Sequence, residues 1–459
     1  MTPSLAPTAT ASARFAVLVV AGAALVTSLT QALVVPVLPA LPGELGVSAA
    51  TASWLVTVTV IVGAVANPIL GRLGDQLGRR RLLLATIAAF VAGSAICAVT
   101  TDFRVLLLGR AVQGLSTASI PLGIGVIAQT VPPARRASGI AMVSAMLGVG
   151  GAAGLPLAGV LAAGWGLAGV FWTSAAVGAV VFVATLVLVP DVRPAERGGG
   201  IDWAGALLLA AGLTSLLVPI SQGARWGWSS PATVGLFAAA AAVLTAFTLL
   251  ELRRRNPVVD LRLAVLRPSL LTNLAGLALG AGFFISFLAA MTLLQLPAGA
   301  AGGFGRSVIE AGLFMVPGGV AMAVAAPLGA RLVSRHGART ALRLACLVVS
   351  LGFAVQLFPR AELWQLVLST VVVSGGIAVA YSAMPALILT TTPPDQAAAA
   401  SGVNALARNL GSALGGALFG LFAGATGPAV AGFTALYLIG VATAVAAFLA
   451  ASGLSRSIS

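Results

Sequence analysis

The sequence predicts an all-α, polytopic membrane protein, and three observations support this prediction. Of its 459 residues, 59% are hydrophobic and only 8% are charged, whereas soluble domains carry about 25% charged residues. The apolar residues form long runs, and at about 20 residues per membrane crossing the chain has room for a dozen or more spanning helices. Gly (55 residues) and Pro (24 residues) are frequent, which bundled membrane helices tolerate. This composition excludes a water-soluble enzyme and a disordered chain.

Charged or Pro/Gly-rich gaps divide the apolar sequence into fourteen candidate membrane spans. The first run stays apolar as far as Leu41, which is too long for the core of a signal peptide, so we treat it as a span. Spans seven and eight are the least regular, because Trp226 and Trp228 interrupt them and could mark a re-entrant pair. The spans begin near Phe15, Thr51, Arg81, Arg104, Ala137, Gly166, Ile201, Pro231, Pro268, Ser307, Thr340, Glu362, Ala397 and Pro428.

The distribution of arginine predicts the orientation in the membrane. All 25 basic residues are Arg; alternate gaps contain nineteen on one side and four on the other, and two lie inside spans. Arg-rich loops stay in the cytoplasm, so we expect a multi-pass protein of the cytoplasmic (inner) cell membrane with both termini in the cytoplasm. Because the arginines are scattered over short gaps, we expect the lipid bilayer as partner and no nucleic acid.

Few residues are suited to catalysis or metal binding. The cysteines, Cys97 and Cys346, lie in separate apolar runs, and the single histidine, His336, lies in an Arg-rich gap. These positions predict no disulfide, metal site or cofactor. An intramembrane enzyme would need paired acids, a histidine cluster or a Ser/Lys dyad at membrane depth. The spans contain none of these, so we predict that the protein is not an enzyme.

Two stretches recur in the chain at nearly the same distance. Residues 68–83 align without gaps with residues 327–342, at an offset of 259. Pro132-Pro133 and the Ser-Gly pair that follows recur at an offset of 261 to 263. The offset spans eight helices, an even number, so both halves have the same orientation in the membrane. Transporters with such parallel repeats hold a small-molecule substrate between their halves.

The repeat also predicts how the chain is divided. We expect an N-terminal six-helix bundle at residues 1–190, two additional helices with their linkers at residues 191–262, and a C-terminal six-helix bundle at residues 263–459. Because one chain contains both halves, we expect it to act as a monomer.

The first repeated stretch contains a motif suited to a gate. In Gly71-Arg-Leu-Gly-Asp75-Gln-Leu-Gly78-Arg79-Arg80 the glycines allow a tight turn, and Asp75 can accept charge-assisted hydrogen bonds from Arg or from a helix N-terminus. A solvated turn is the alternative. The string resembles the loop signature of the major facilitator superfamily, GxLxDxxGRRxxL. The resemblance implies a cytoplasmic latch that locks the inward-closed state. Its residues are Gly71, Asp75, Gly78, Arg79 and Arg80, with Arg331, Gly337 and Arg339 in the second half.

Two further strings carry the resemblance. Residues 106–114 are similar to the fourth-helix motif of the superfamily, LxxxRxxQG, which implies that Arg110, Gln113 and Gly114 act in coupling and translocation. Arg110 could instead extend its side chain to the outer surface. Residues 148–159, with Pro156, look like a variant of the antiporter motif of drug exporters, although close helix packing would also explain their small residues.

The whole chain resembles the fourteen-span drug/proton antiporter branch of the superfamily, the EmrB/QacA type. The resemblance implies a major facilitator fold of two parallel-repeat six-helix bundles plus two linking helices. That branch usually carries an Asp in its first helix, in a string like LDxTxVNxALP. Here Thr30 stands at the Asp position, Val35 replaces the Asn, and no other span contains a deep Asp or Glu. The familiar proton carrier is therefore missing.

The charge that remains deep in the spans is positive. Arg408 lies about eleven residues beyond the start of span thirteen, roughly 16 Å into the helix. It either binds carbonyl groups of broken helices or faces a hydrated cavity and favours anionic or electron-rich substrates. In the second case its neutral polar companions would be Thr30, Gln31, Gln113, Asn273, Tyr381 and Asn404.

Together these patterns predict a secondary active transporter that exports hydrophobic small molecules, such as drugs or natural products, by alternating access with protons as the coupling ion. The alternative is a facilitator or importer of a specific solute, which could be anionic and would not depend on a carboxylate in span one. A membrane scaffold or sensor would not need a repeated latch.

Overall fold

The computed structural model describes residues 7–32, 41–191, 202–298, 302–358, 362–393, 396–424 and 430–454. Every regular element in these ranges is a helix, and eleven helices are long and apolar enough to cross a membrane. The predicted all-α, multi-pass membrane fold is thus confirmed. The total of fourteen spans stays a prediction.

The first half of the chain contains eight helices among the described residues. They are α1 (Pro7–Ala32), α2 (Leu41–Leu45), α3 (Ala49–Ala52), α4 (Trp54–Leu77), α5 (Arg79–Ala98), α6 (Phe103–Gly114), α7 (Ser119–Thr130) and α8 (Pro133–Leu188). A 3₁₀ turn joins α6 and α7 into one candidate span, Phe103–Thr130. Helix α8 is divided at Gly166, whose φ of 64° lies in the left-handed region that favours glycine.

The remaining helices follow the same pattern of long apolar segments. They are α9 (Trp203–Trp226), α10 (Pro231–Glu251), α11 (Leu261–Ala264), α12 (Arg267–Gln295), α13 (Val308–His336), α14 (Ala338–Val355), α15 (Leu363–Thr391), α16 (Ala397–Phe419) and α17 (Val430–Ser452). Helices α9 and α10 contain 24 and 21 residues, so predicted spans seven and eight are full-length helices rather than a re-entrant pair.

Polar side chains at the helix starts explain several of these boundaries. The Asp102 carboxylate accepts the N–H groups of Arg104 and Val105 at the start of α6, at 2.8 and 3.1 Å. At the start of α13, Ser307 and Glu310 form a reciprocal capping box. Each satisfies N–H groups that the first helical turn leaves without a partner. Glu310 is therefore an exposed capping residue and not a deep acid.

The helices of the two halves pack in the same order, as the parallel repeat predicts. Helix α1 packs against α7 and α8, and α12 packs against α15 and α16; α5 packs against α8, and α14 against α17. Contacts of α4 with α16, and of α13 with α8, join the halves. Each half has its own hydrophobic core. The core of the first half includes the buried Ala398 of α16, and the core of the second half includes the buried Ala145 of α8.

Glycines allow α4 and α16 to approach each other closely. A Cβ atom on Gly71 would lie 2.7 Å from the carbonyl oxygen of Ala398, and a Cβ atom on Gly402 would collide with the backbone of Asn67. Contacts of this kind require small residues because backbone atoms, unlike a flexible side chain, cannot move aside cheaply. Along the seam between α4 and α16, the backbones of the two helices therefore lie in direct contact.

We predict that Gly402→Ala destabilises the protein, because α16 must move away from α4 to accommodate the methyl group. The matched control is Gly235→Ala on α10, where an added Cβ would meet no atom within 4 Å and the higher helix propensity of Ala is worth about 1 kcal/mol. Thermal unfolding of the detergent-solubilised chain should give a lower Tm for Gly402→Ala and an unchanged or higher Tm for Gly235→Ala. Equal Tm values for the two variants would contradict the tight seam.

Candidate functional site

Asp75 connects the two halves of the protein. Its Oδ1 atom accepts a hydrogen bond from Nε of Arg79 at 2.7 Å and lies 2.6 Å from Nη2 of the same residue. Its Oδ2 atom accepts the backbone N–H of Ala399, in the first turn of α16, at 2.9 Å. The carboxylate thus binds an arginine and a helix N-terminus together, the two kinds of partner that its sequence context indicated.

Arg79 completes this contact from the first turn of α5. It donates from Nη1 to the carbonyl oxygen of Gly125 in α7, at 2.7 Å. The side chains of Arg79 and Asp75 are only 1% and 2% exposed, so neither belongs to a solvated turn. With little water to screen the charges, the pair interacts more strongly than a surface ion pair would. We call Asp75, Arg79, Gly125 and Ala399 the latch.

The turn between α4 and α5 places Arg79 beside Asp75, and the second half repeats its geometry. Gly78 has a φ of 109°, and Gly337, between α13 and α14, has a φ of 81°. Arg80 donates to the carbonyl oxygen of Leu186 near the end of α8. Arg339, its repeat partner, donates to the carbonyl oxygen of Ser452 at the end of α17, at 2.7 Å. Both arginines therefore satisfy C-terminal carbonyl groups of the last helix in their own half.

The second hairpin differs from the first in its chemistry. Position 334, the repeat partner of Asp75, is Ser334, whose hydroxyl donates to the carbonyl oxygen of Arg331 in its own helix. Arg331 itself is exposed. The structure therefore does not bring Arg331, Gly337 and Arg339 to the latch, and their predicted part in gating stays a prediction.

Arg110 is enclosed at the junction of α4, α5 and α6. It is 1% exposed and donates from Nε to the carbonyl oxygen of Leu55 at 3.0 Å and from Nη1 to Oε1 of Gln113 at 2.7 Å. Nε2 of Gln113 in turn donates to the hydroxyl oxygen of Ser94 at 2.7 Å. A Cβ on Gly114 would lie 2.9 Å from the Thr59 carbonyl oxygen. Arg110 therefore does not extend to the outer surface, and its predicted role in coupling remains untested.

Four of the predicted cavity residues lie together in the second half. The guanidinium of Arg408 stacks over the ring of Tyr381, with 4.5 Å between its Cζ atom and the ring centroid. One turn earlier in α16, Nδ2 of Asn404 donates to Oδ1 of Asn273 at 3.1 Å. The side chains of Thr30, Gln31 and Pro156 lie outside the described residues.

This arrangement of paired helical halves can be compared with known proteins. The family model for the Major Facilitator Superfamily matches residues 20–279 and 278–457. The two matches cover almost the whole chain, one for each half.

The chain belongs to the major facilitator superfamily.

Relatives within the superfamily support this assignment. The chain is 33% identical to a probable actinorhodin transporter of Streptomyces coelicolor, over 85% of this chain and 69% of the relative. It is 27% identical to the tetracenomycin C resistance and export protein of Streptomyces glaucescens, over 88% and 74%. It is 29% identical to multidrug resistance protein Stp of Mycobacterium tuberculosis, over 82% and 69%.

A solved structure supports the fold in three dimensions. The chain is similar to the human organic anion transporter MFSD10 (TETRAN), with a TM-score of 0.68 over 95% of this chain and 99% of that one. The sequence identity is 19%, so this similarity shows the fold alone. The major facilitator fold predicted from the loop motif is thus confirmed, whereas the fourteen-span branch stays a prediction.

The additional helices of this superfamily member lie against the seam that contains the latch. Helix α9 packs against both α4 and α16. Its residues Leu209 and Leu213 share a core cluster with Ile69 of α4 and Val403 of α16. The α9–α10 hairpin therefore contacts both halves, which the sequence did not predict.

A buried acid lies at the end of this hairpin. Glu251 is 3% exposed, and its Oε1 atom accepts the N–H of Val258 at 3.2 Å. Arg72 of α4, one turn before Asp75, is within electrostatic range of the Glu251 carboxylate. The sequence analysis did not single out Glu251. Its one distinguishing signal is that it is the only acid between residues 203 and 259.

We predict that Asp75→Asn loosens the start of α16 specifically. The amide cannot balance the buried charge of Arg79, and breaking a buried ion pair costs about 3–5 kcal/mol. Hydrogen exchange measured by mass spectrometry should become faster in the peptide that contains Ala399.

The matched control is Asp102→Asn, which removes a carboxylate that caps only its own helix. Its exchange should increase at the start of α6 and stay unchanged at α16. Equal exchange at Ala399 in wild type and Asp75→Asn would contradict the latch.

Proposed function

We propose that this protein is a secondary active exporter of hydrophobic small molecules, such as drugs or natural products, and that it works by alternating access with protons as the coupling ion. It acts as a monomer in the cytoplasmic membrane, with both termini and the latch on the cytoplasmic side. Its working units are the six-helix bundles of residues 1–190 and 263–459, joined by the two helices of residues 191–262.

The latch is the observation that carries this proposal. An alternating-access transporter needs a contact between its halves that is strong when closed and can be broken when the site opens to the other side. Asp75 forms such a contact, because its partners at Ala399 and Arg79 belong to different halves. Its strength depends on the exclusion of water, so separation of α4 from α16 weakens it at once. The described arrangement corresponds to closure at the latch end.

The direction of transport and the class of substrate rest on the relatives. Of three relatives that align with most of this chain, one is named a probable actinorhodin transporter, one a tetracenomycin C resistance and export protein, and one a multidrug resistance protein. Export does not require a catalytic site, which agrees with a buried core formed mainly by Ala, Leu, Val and Ile. Proton coupling is inferred from the antiporter branch that the sequence resembles. Since Thr30 replaces the usual Asp, another group must bind the proton.

We expect inside-out membrane vesicles that contain the protein to accumulate hydrophobic fluorescent dyes without ATP when a proton gradient is imposed. A protonophore should abolish the accumulation, because the gradient supplies the driving force. Vesicles without the protein are the control. Accumulation that persists after collapse of the gradient would contradict proton coupling, and absence of accumulation for every dye would contradict export of hydrophobic molecules.

A further inference from the structure

Arg408 is a cation whose charge the protein leaves unbalanced. It lies on α16, in the group of helices formed by α12, α15 and α16. In the part of the chain that the structure describes, its guanidinium makes no hydrogen bond or ion pair, and its nitrogen atoms are not enclosed by protein. The side chain is half-buried. Its guanidinium nitrogen atoms therefore keep some accessible surface.

Arg110 provides the contrast within the same molecule. Its guanidinium is almost fully buried and donates from Nε and Nη1 to oxygen atoms of Leu55 and Gln113. A structural arginine in a membrane protein is expected to be satisfied in this way. Arg408 does not have such partners, and the alternative that it binds carbonyl groups of broken helices does not hold for the described residues.

Tyr381 fixes the position of the guanidinium without using its hydrogen-bond donors. The Cζ atom of Arg408 lies 4.5 Å from the centre of the Tyr381 ring, within the range of a cation–π contact. The N–H donors of arginine lie in its plane and point outward from its edge. The contact with Tyr381 is not a conventional hydrogen bond, so the guanidinium keeps N–H donors for a ligand.

Polar and aromatic groups extend the same surface in two directions. On one side, Asn404 and Asn273 form an amide pair one turn from Arg408. On the other side, Phe284 and Phe287 of α12 stack with ring centroids 6.3 Å apart, and a Cβ atom on Gly416 of α16 would touch Phe284 at 3.1 Å. Both rings are half-buried. A cation, an amide pair and aromatic rings thus lie along one seam between α12 and α16.

We propose that this seam binds the acidic group of an aromatic organic anion, with Arg408 as the residue that recognises the carboxylate or sulfonate. An arginine edge can bind two oxygens of such a group at once, and the bond is stronger in surroundings of low dielectric constant. The apolar body of the ligand lies along Phe284 and Phe287. This inference rests on the proposed export function and specifies its substrate class.

The test uses two dyes that differ by one charged group. Anilinonaphthalene sulfonate is an aromatic anion, and N-phenylnaphthylamine is its neutral parent. Binding to the full chain in lipid nanodiscs is measured by fluorescence titration, with empty nanodiscs subtracted, and transport is measured in inside-out vesicles. We expect Arg408→Gln to weaken binding of the anion by about tenfold to hundredfold and to change binding of the neutral dye by less than about twofold.

Two further variants separate recognition from structure and from surface charge. Arg408→Lys keeps the charge but loses the planar edge, so it should recover part of the affinity for the anion. Arg104→Gln removes an exposed arginine at the start of α6 and should change neither dye. If Arg408→Gln does not fold, the affinities of Arg408→Lys and wild type for the two dyes still test the inference. Only a loss of affinity that is confined to the anion supports it.

The outcomes distinguish this inference from the proposed function. Equal affinity of wild type and Arg408→Gln for the anion overturns the inference. An equal loss of affinity for both dyes also overturns it, because it indicates a structural role of Arg408. If either result is found while the wild type still transports the neutral dye, the export function stands and only the anion site is rejected. Failure of the wild type to transport either dye rejects the proposed function and this inference with it.

Discussion

The structure depends on a charge that is held out of water between two helices. Asp75 is almost fully buried, and such a carboxylate persists only when its oxygens are satisfied. Arg79 and the N–H of Ala399 satisfy them, which requires α16 to begin next to the end of α4. The glycines at positions 71 and 402 permit that approach, and the positive φ of Gly78 turns α5 so that Arg79 returns to the carboxylate. One electrostatic requirement thus explains the small residues, the turn and the contact between halves.

The two halves share a fold, but the second half has a different residue at the position of Asp75. Gly78 and Gly337 have the same kind of turn, and Arg80 and Arg339 satisfy carbonyl groups at equivalent helix ends. At the position of Asp75, however, the second half has Ser334, which turns back to its own helix. A neutral hydroxyl forms weaker hydrogen bonds than a carboxylate. Among the described residues, the duplicated architecture therefore carries this charged contact at Asp75 and a neutral hydroxyl at the equivalent position.

Most of the fold follows from local patterns, because apolar runs in a membrane must form helices. The loop motif also indicated an Arg or a helix N-terminus as partners of Asp75, and both are found; the gating role of this contact stays a prediction. Other features depend on contacts that are distant in sequence. The amide of Ala399 belongs to an alanine run without any motif, and the packing of α9 on both halves depends on aliphatic residues such as Leu213. Arg408 could be located by its depth, but only the structure places it beside Tyr381.

The α9–α10 hairpin has a mechanical consequence. Its contacts with α4 and α16 share one apolar cluster, so the hairpin acts as a brace across the seam where the halves meet. If α4 and α16 separate, α9 must slide on one of them or stay with the other. Aliphatic surfaces slide past each other with little directional resistance, whereas the buried Glu251 holds the linker that follows α10 through the N–H of Val258. Separation of α4 from α16 therefore requires the apolar contacts of α9 to rearrange on at least one side.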